Sequence, residues 1–354
     1  MIGHLVFFAI LVGFSFLLTR VMIRVNISDI PNYRSAHHLP TPKSGGLAIA
    51  AAFAAGLAAL SGQAPMLALS AAQWNSLFAI TALVLSFALI DDLRSLSPQT
   101  KLLLQLLSGI WFTVSVATFE TLPLPILGDV PLGYMALPIS VLWIAAFMNI
   151  INFMDGLNGM ASGGALIGTF AFGLFALNSG AATVYLCCFC LIAGVLGFFV
   201  LNFPRGHIFM GETGSQFLGF TLAAMTLIAA HDGFGALNPL LMPAIFFTFL
   251  FDVSATALHR LGRGHSLFKA HREHIYQLLH RLGWPQFGVS LAYFATFAVN
   301  IGAAVILQTQ GAESGPLVFP ALGALYAIPA LCVWRAATRR GLLKARHARP
   351  MVRS

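Results

Sequence analysis

Charge is what this sequence of 354 residues has least of. Only 8% of it is Asp, Glu, Lys or Arg, where soluble domains carry about 25%. Hydrophobic residues make up 58%, and mean hydropathy is +0.85. That balance excludes an ordinary soluble domain, and the length leaves no room for a large one beside a membrane part. Cysteine is scarce as well. Cys187, Cys188, Cys190 and Cys332 fall inside apolar segments without metal-ligand spacing to histidine, so they read as small core residues. No internal repeat and no low-complexity linker is evident. The first apolar run, Ile2 to Val21, has no small-residue cleavage site followed by a polar start, so it reads as a span rather than a leader.

The apolar runs predict an all-α polytopic membrane protein with about eleven transmembrane helices. They lie near 2–23, 45–62, 73–90, 101–119, 136–152, 160–178, 181–201, 215–231, 238–258, 286–308 and 316–336. The connector 120–135 is rich in Pro and Gly and reads as partly interfacial. Residues 1–336 then form a transmembrane catalytic bundle with loops 24–44, 91–100, 153–159, 202–214 and 259–285 on one face. Residues 337–354 form a basic tail on the same face. That face, with its adjoining span ends, carries all 19 Lys and Arg. The other face has Glu120, Asp129, Asp232 and Glu313 and no Lys or Arg. Basic residues stay inside, so the N-terminus is expected outside and the C-terminus in the cytoplasm. So complete a segregation also supports the span count. The tail (Arg339, Arg340, Lys344, Arg346, Arg349, Arg353) reads as a topology anchor touching anionic headgroups, and no nucleic-acid partner is expected.

What polar character exists is concentrated in the loops of the basic face. Residues 29–46 hold Asp29, Arg34, His37, His38 and Lys43 before the glycine pair Gly45 and Gly46. Asp91 and Asp92 follow an apolar run, and Lys101 opens the next span. Adjacent carboxylates raise one another's pKa unless a cation lies near. Asn149, Asn152, Asp155 and Asn158 recur every third residue, roughly along one helix face, and run into Gly156 and Gly159. Such a stripe is costly in a membrane unless it faces protein, water or a ligand. A helix-packing seam ending in a glycine stop is the plain alternative. The run Gly211-Glu212-Thr213-Gly214-Ser215 resembles a helix N-cap whose open N–H groups could hold a phosphate. The last loop packs Arg263, His265, Lys269, His271, Arg272, Glu273 and His274 together. It lacks a third ligand at zinc spacing, and its dense cationic character with His donors suits a phosphate or pyrophosphate. Together, acids (Asp91, Asp92, Asp155, Glu212) and phosphate-type donors (Lys43, Lys101, Arg263, Lys269, His271, Arg272, His274) meet on one face. Hard carboxylate and amide oxygens suit Mg²⁺, with Mn²⁺ the alternative.

These five motifs, in this order over about residues 29–280, resemble the polyprenyl-phosphate N-acetylhexosamine-1-phosphate transferases. The resemblance implies a bundle of ten or eleven spans in the bacterial inner membrane, with a cytoplasmic active site. It implies transfer of a sugar-1-phosphate from a UDP-HexNAc donor to undecaprenyl phosphate, with UMP released. By position, Asp91 and Asp92 match the family's paired aspartates, and Lys101 matches a lysine that contacts the lipid phosphate. Asp155 matches the motif's conserved acid, and Asn152 an asparagine that helps hold the metal in some members. Glu212 stands where a metal-binding Asp is usual. His271, Arg272 and His274 match the loop that contacts the donor, with Lys43, Asn149, Arg263 and Lys269 as further substrate contacts. Asn158 replaces an Asp found in many members, and Glu212 extends the usual acid by one bond, about 1 Å. The loop His-Arg-Glu-His-Ile-Tyr-Gln points away from the phospho-MurNAc-pentapeptide enzymes. It points towards the simpler UDP-HexNAc enzymes, with members using 6-deoxy-HexNAc donors for O-antigen the nearest match.

Two other classes stay open at this point. A secondary transporter of a phosphorylated solute would place ionisable residues near the bilayer midplane on broken helices. Here they gather at one face, with Asp252 the one clear in-span charge. An inactive assembly scaffold is kept open by Asn158 and Glu212. A homodimer is neither required nor excluded.

Overall fold

The computed structural model describes residues 2–29, 40–61, 69–124, 128–231, 237–266, 271–310 and 315–343. Its long helices are α1 (Ile2–Val25), α2 (Gly45–Ser61), α3 (Ala71–Arg94), α4 (Pro98–Ser115), α5 (Ala136–Met154), α6 (Met160–Asn178), α7 (Ala182–Asn202) and α8 (Gly211–Ala230). There follow the short α9 (Leu241–Ile245), then α10 (Phe247–Gly262), the short α11 (Ile275–Arg281), α12 (Gln286–Gln310) and α13 (Gly315–Arg339). Among the described residues, 8 helices are long and apolar enough to cross a membrane. The protein is an all-helical polytopic membrane protein.

Local chemistry explains most boundaries. Ser70 caps α3 in a reciprocal capping box with Gln73, and Ser97 caps α4, whose first residue is Pro98. Gly159, at φ 74°, turns the chain into α6 in a conformation that a side chain would strain.

One expectation is corrected. The span predicted over 238–258 is not one helix but α9 followed by α10, interrupted at Phe246. Pro243 lies inside α9, where it cannot donate a backbone hydrogen bond. The connector 120–135 contains a small antiparallel hairpin, β3 (Thr121–Leu124) with β4 (Gly128–Pro131). A second minimal ladder, β1 (Ser28–Asp29) with β2 (Thr41–Pro42), closes the first loop.

At the centre stands α8, whose residues from Thr213 to Ala229 are all buried. It packs on α3, α5 and α2, while α7 packs on α1, α2 and α6. Lipid tails are as apolar as leucine, so close backbone approach drives such packing. A Cβ on Gly46 would lie 2.1 Å from the Gly214 amide nitrogen, and one on Gly219 would lie 2.5 Å from the Met148 Cα. Small residues therefore join α2 to α8 and α8 to α5. Gly219→Val is expected to lower the thermal midpoint of the solubilised protein by an amount equivalent to about 1–3 kcal/mol or more. Gly302→Ala, where an added Cβ meets nothing within 4 Å, should change it by less than about 0.5 kcal/mol.

Candidate active site at one end of the bundle

The sequence folds so that five chain segments bring their polar ends together. The C-terminal end of α3 carries Asp91 and Asp92, and the first turns of α4 carry Lys101. The C-terminal end of α5 carries Asn149 and Asn152, the first turn of α8 carries Glu212, and the strand before α2 leads to Lys43.

Asp91 and Asp92 are both buried but have different tasks. Asp92 accepts from the backbone N–H of Glu212 (3.0 Å), the N–H of Thr213 (2.9 Å) and the Thr213 hydroxyl (2.7 Å). It thus caps α8 from another helix, where the helix dipole favours a negative charge. This corrects the expectation that the Ser and Thr of the 211–215 run supply the cap and leave amides open for phosphate. The N-cap residue, Met210, makes no side-chain cap bond. Asp91 accepts from the N–H of Leu96 (2.6 Å), closing the turn after α3, and its other oxygen is paired with Lys101.

The Lys101 ammonium also reaches Glu212 Oε1 at 3.1 Å. Glu212 Oε2 accepts from Asn152 (2.8 Å) and more weakly from Gln216 (3.4 Å). Asn152 further donates to Ser215 Oγ at 2.9 Å. Behind them, Asn149 donates to Gln105 (2.7 Å) and Gln105 to Gln216 (2.9 Å). A chain of amides therefore runs from α5 through α4 to α8 and ends on Glu212. Gln105 and Gln216 were not singled out from the sequence. Their signal was a polar residue inside a membrane-length apolar run, which marks a function or a partner.

Lys43 stands 3.9 Å from Asp92. It is brought there by a strand-like pairing: Phe209 N–H donates to Pro42 C=O (2.7 Å), and Gly45 and Gly46 N–H donate to the carbonyls of Phe209 and Met210. Gly211, at φ +74°, lets Lys43 C=O and Asp92 come close, since a Cβ there would lie 2.1 Å from that oxygen.

The asparagine stripe is not a single helix face. α5 ends at Met154, so Asn149 and Asn152 are helical, while Asp155 and Asn158 lie beyond. Asn158 donates to the Pro204 carbonyl at 3.2 Å, and its backbone oxygen accepts from Ser290 at 2.9 Å. Its contacts are those of a loop brace. Asp155 is half-buried; its backbone N–H donates to the Asn152 carbonyl (3.2 Å), and its carboxyl has no hydrogen-bond or ion-pair partner among the described residues. Burial and the neighbouring Glu212 and Asp92 carboxylates push its carboxyl well above the usual range.

The last loop joins this site through a tyrosine. Tyr276 OH donates to the Phe153 carbonyl (2.8 Å), and a Cβ on Gly156 would lie 2.1 Å from that hydroxyl oxygen. His274 is buried with Nδ1 3.1 Å from Asp252, and its ring lies 5.0 Å from that of His271. Burial, His274 and Arg260 push His271 down to about 3. His271 is therefore neutral near pH 7 and adds no charge to the loop. Arg263 reaches Glu273 (3.8 Å) and the Leu343 carbonyl, and Arg281 donates to the carbonyls of Arg272 and Leu342 (2.8 Å each). Much of the loop's basic character thus braces the loop itself. Lys269 lies outside the described residues.

Among the described residues, four carboxylates (Asp91, Asp92, Asp155, Glu212) share the site with two ammonium groups (Lys43, Lys101), which leaves two negative charges in excess when all are ionised. Among the described residues, no three His, Cys, Asp or Glu side chains are grouped so as to hold a metal by themselves. Mg²⁺ does not need such a cage, because one or two carboxylates with substrate phosphates and waters suffice. Unpaired Asp155 beside Glu212 is a donor set that fits it.

A membrane bundle with an acid-rich, lysine-bridged site at one end defines an integral-membrane protein equipped for phosphate chemistry. The profile of glycosyl transferase family 4 matches residues 74–230. A Bacillus subtilis protein, described as a probable undecaprenyl-phosphate N-acetylglucosaminyl 1-phosphate transferase, is 28% identical over 81% of this chain and 79% of its own length. A Yersinia pestis undecaprenyl-phosphate alpha-N-acetylglucosaminyl 1-phosphate transferase is 27% identical over 77% of this chain and 74% of its own. A Streptococcus pneumoniae phospho-N-acetylmuramoyl-pentapeptide-transferase is 36% identical, but over only 39% of this chain and 42% of its own length. Over residues 74–230 the chain is similar to glycosyl transferase family 4, in agreement with the ordered motifs.

The state of Asp155 makes a prediction with a definite sign. A carboxyl raised by folding contributes most to stability below its unfolded pKa, and that contribution is lost as pH rises through the folded value. Asp155→Asn should therefore have a higher thermal midpoint than the wild type in EDTA at mildly alkaline pH, with the gap closing as pH falls. Scanning calorimetry of both solubilised proteins across that range checks it. A gap that is absent or widens on acidification would contradict the assigned environment.

Proposed function

We propose that the protein transfers N-acetylhexosamine-1-phosphate from a UDP-sugar to undecaprenyl phosphate, giving the lipid pyrophosphate sugar and UMP. The observation that carries this reading is the convergence of the acid–lysine cluster with the 271–277 loop at one end of a membrane bundle. The relatives' described activities support it. The two most fully covered relatives named above act with N-acetylglucosamine, so UDP-GlcNAc is the first donor to test. UDP-FucNAc and UDP-QuiNAc follow from the O-antigen resemblance. The complete segregation of basic residues argues for eleven spans, with α9 and α10 together making one. It also argues for a cytoplasmic active site in the bacterial inner membrane.

In the transfer, an oxygen of the polyprenyl phosphate attacks the β-phosphorus of the donor. The bond from that phosphorus to the oxygen bridging the two phosphates breaks, and UMP carries the oxygen away. Such reactions need positioning and charge stabilisation more than covalent help. Lys101 and Lys43 hold the acceptor phosphate. Asp91 takes up a residual proton, a light task because a phosphate monoester's second pKa is about 6. Asp92, whose oxygens are filled by the start of α8, keeps Glu212 in place. His271, Arg272 and His274 bind the donor, with His271 acting as a neutral imidazole. A bound Mg²⁺, held by Asp155 and Glu212 with Asn152, would neutralise the donor pyrophosphate. The acceptor is already a competent anion, which favours direct displacement over an aspartyl-phosphate intermediate. Trapping a radiolabelled phospho-enzyme with donor alone would overturn that preference.

Purified protein with undecaprenyl phosphate and a panel of UDP-HexNAc donors should release UMP in a manner that depends on a divalent cation. Glu212→Ala and Asp155→Asn should each lower the rate by at least about a hundredfold. Uptake of the donor into proteoliposomes without UMP release would favour a transporter instead.

A separate measurement concerns the acceptor. Lys101→Ala should raise KM for undecaprenyl phosphate at least about tenfold, as expected when one charge-assisted contact is lost. An unchanged acceptor KM would remove Lys101 from that role.

A further inference from the structure

Asp252 is a buried acid that the transfer chemistry does not use. It sits in α10 with 1% of its surface exposed, and five groups donate to it. One oxygen is met by the His274 ring (3.1 Å), the Ile275 N–H (3.0 Å) and the Thr256 hydroxyl (3.2 Å). The other is met by the Tyr276 N–H (3.1 Å) and the Tyr293 hydroxyl from α12 (2.5 Å). A lone buried charge is costly, and one that collects this many donors is retained in a single geometry. Three of the five donors are on consecutive residues, His274, Ile275 and Tyr276, which open α11. Tyr276 then passes the constraint on. Its hydroxyl donates to Phe153, two residues before Asp155, and the absent side chain of Gly156 makes room for it. The Phe153 ring also lies 5.8 Å from that of His274.

We infer that Asp252 is a positioning residue. Through His274 and Tyr276 it sets where the 271–277 loop stands relative to the turn that carries Asp155. Donor recognition and the unpaired acid are then placed by one buried anchor rather than by two independent loops. The kinetic part of this inference rests on the transferase reading, while the anchoring itself does not.

The test uses the full-length, detergent-solubilised protein and the variants Asp252→Asn, Tyr276→Phe and Tyr293→Phe. The first readout is independent of activity. Tryptic cleavage after Arg272, followed by mass spectrometry, should accelerate about tenfold in Asp252→Asn and Tyr276→Phe, the scale usual for loss of a supporting partner. Cleavage at the wild-type rate in folded Asp252→Asn overturns the anchoring. If Asp252→Asn does not fold, Tyr276→Phe, which keeps the ring and the backbone bond, decides in its place. The second readout is kinetic. Tyr276→Phe should raise KM for the UDP-sugar while leaving KM for undecaprenyl phosphate unchanged. A purely structural role would lower the active fraction and move neither KM, and that result overturns the positioning role. If the wild type releases no UMP from any donor, the transferase reading fails, and cleavage after Arg272 still decides whether Asp252 anchors the loop.

Discussion

The site depends first on one buried carboxylate that closes a helix it does not belong to. Asp92 accepts the two N–H groups that open α8 and the hydroxyl of Thr213. Four amides at any helix start lack intrahelical partners, and inside a membrane bundle few waters can serve them. A carboxylate from α3 meets that need with charge-assisted bonds, which are roughly twice as strong as neutral ones. In doing so it fixes the depth and rotation of α8, and therefore the position of Glu212. Lys43 supports the arrangement from the side, and Gly211 is the residue that lets all three elements approach. Among the described residues, the most buried of the candidate membrane spans and the start of the catalytic cluster are thus held by the same contact.

Charge balance then determines what the remaining groups can do. Lys101 cannot neutralise Asp91 and Glu212 together, and among the described residues Asp155 has no cation of its own. A site left negative in this way repels a donor pyrophosphate unless a cation comes with it. Among its described residues the supporting loop does not supply one freely. Arg260 and Arg263 are engaged with Glu273, Arg281 is held by backbone carbonyls, and His271 is neutral. The plain deduction from the sequence, that a dense basic loop meets the donor's charge, therefore holds only for part of that loop.

The bundle was legible in the sequence because hydropathy over twenty residues is a strong signal that local geometry rarely overrides. The five polar clusters were legible for the same reason, as islands of charge in a chain that has little. What stayed hidden was division of labour. Asp91 and Asp92 are adjacent in sequence, yet one closes a turn and holds Lys101 while the other caps α8 more than a hundred residues away. No spacing rule reports which does which, because the partner comes from tertiary packing. The three-residue rhythm from Asn149 to Asn158 also misled in part. It was read as one helix face, but the helix stops at Met154, and Asn158 braces the 204–206 turn. Asp252 was visible as an in-span charge, but its donors lie on α11 and α12 and could not be named beforehand.

The substitutions that cast doubt on activity look different once placed. Asn158, where the family resemblance implies an acid, is committed to the Pro204 carbonyl and through its backbone to Ser290. An acid there would face a carbonyl oxygen, an unfavourable pairing, so the asparagine is suited to the turn it occupies. Glu212 uses its longer reach. From the first turn of α8 its two oxygens meet Lys101 on α4 and Asn152 on α5 at once. An Asp one bond shorter, with the backbone pinned by Asp92, would have to give up one of them. Gln216, one helical turn further along α8, closes on the same oxygen and is itself held by Gln105 and Asn149. The longer acid and the amide chain behind it form one construction, in which the extra methylene is matched by neighbours that fix where it ends.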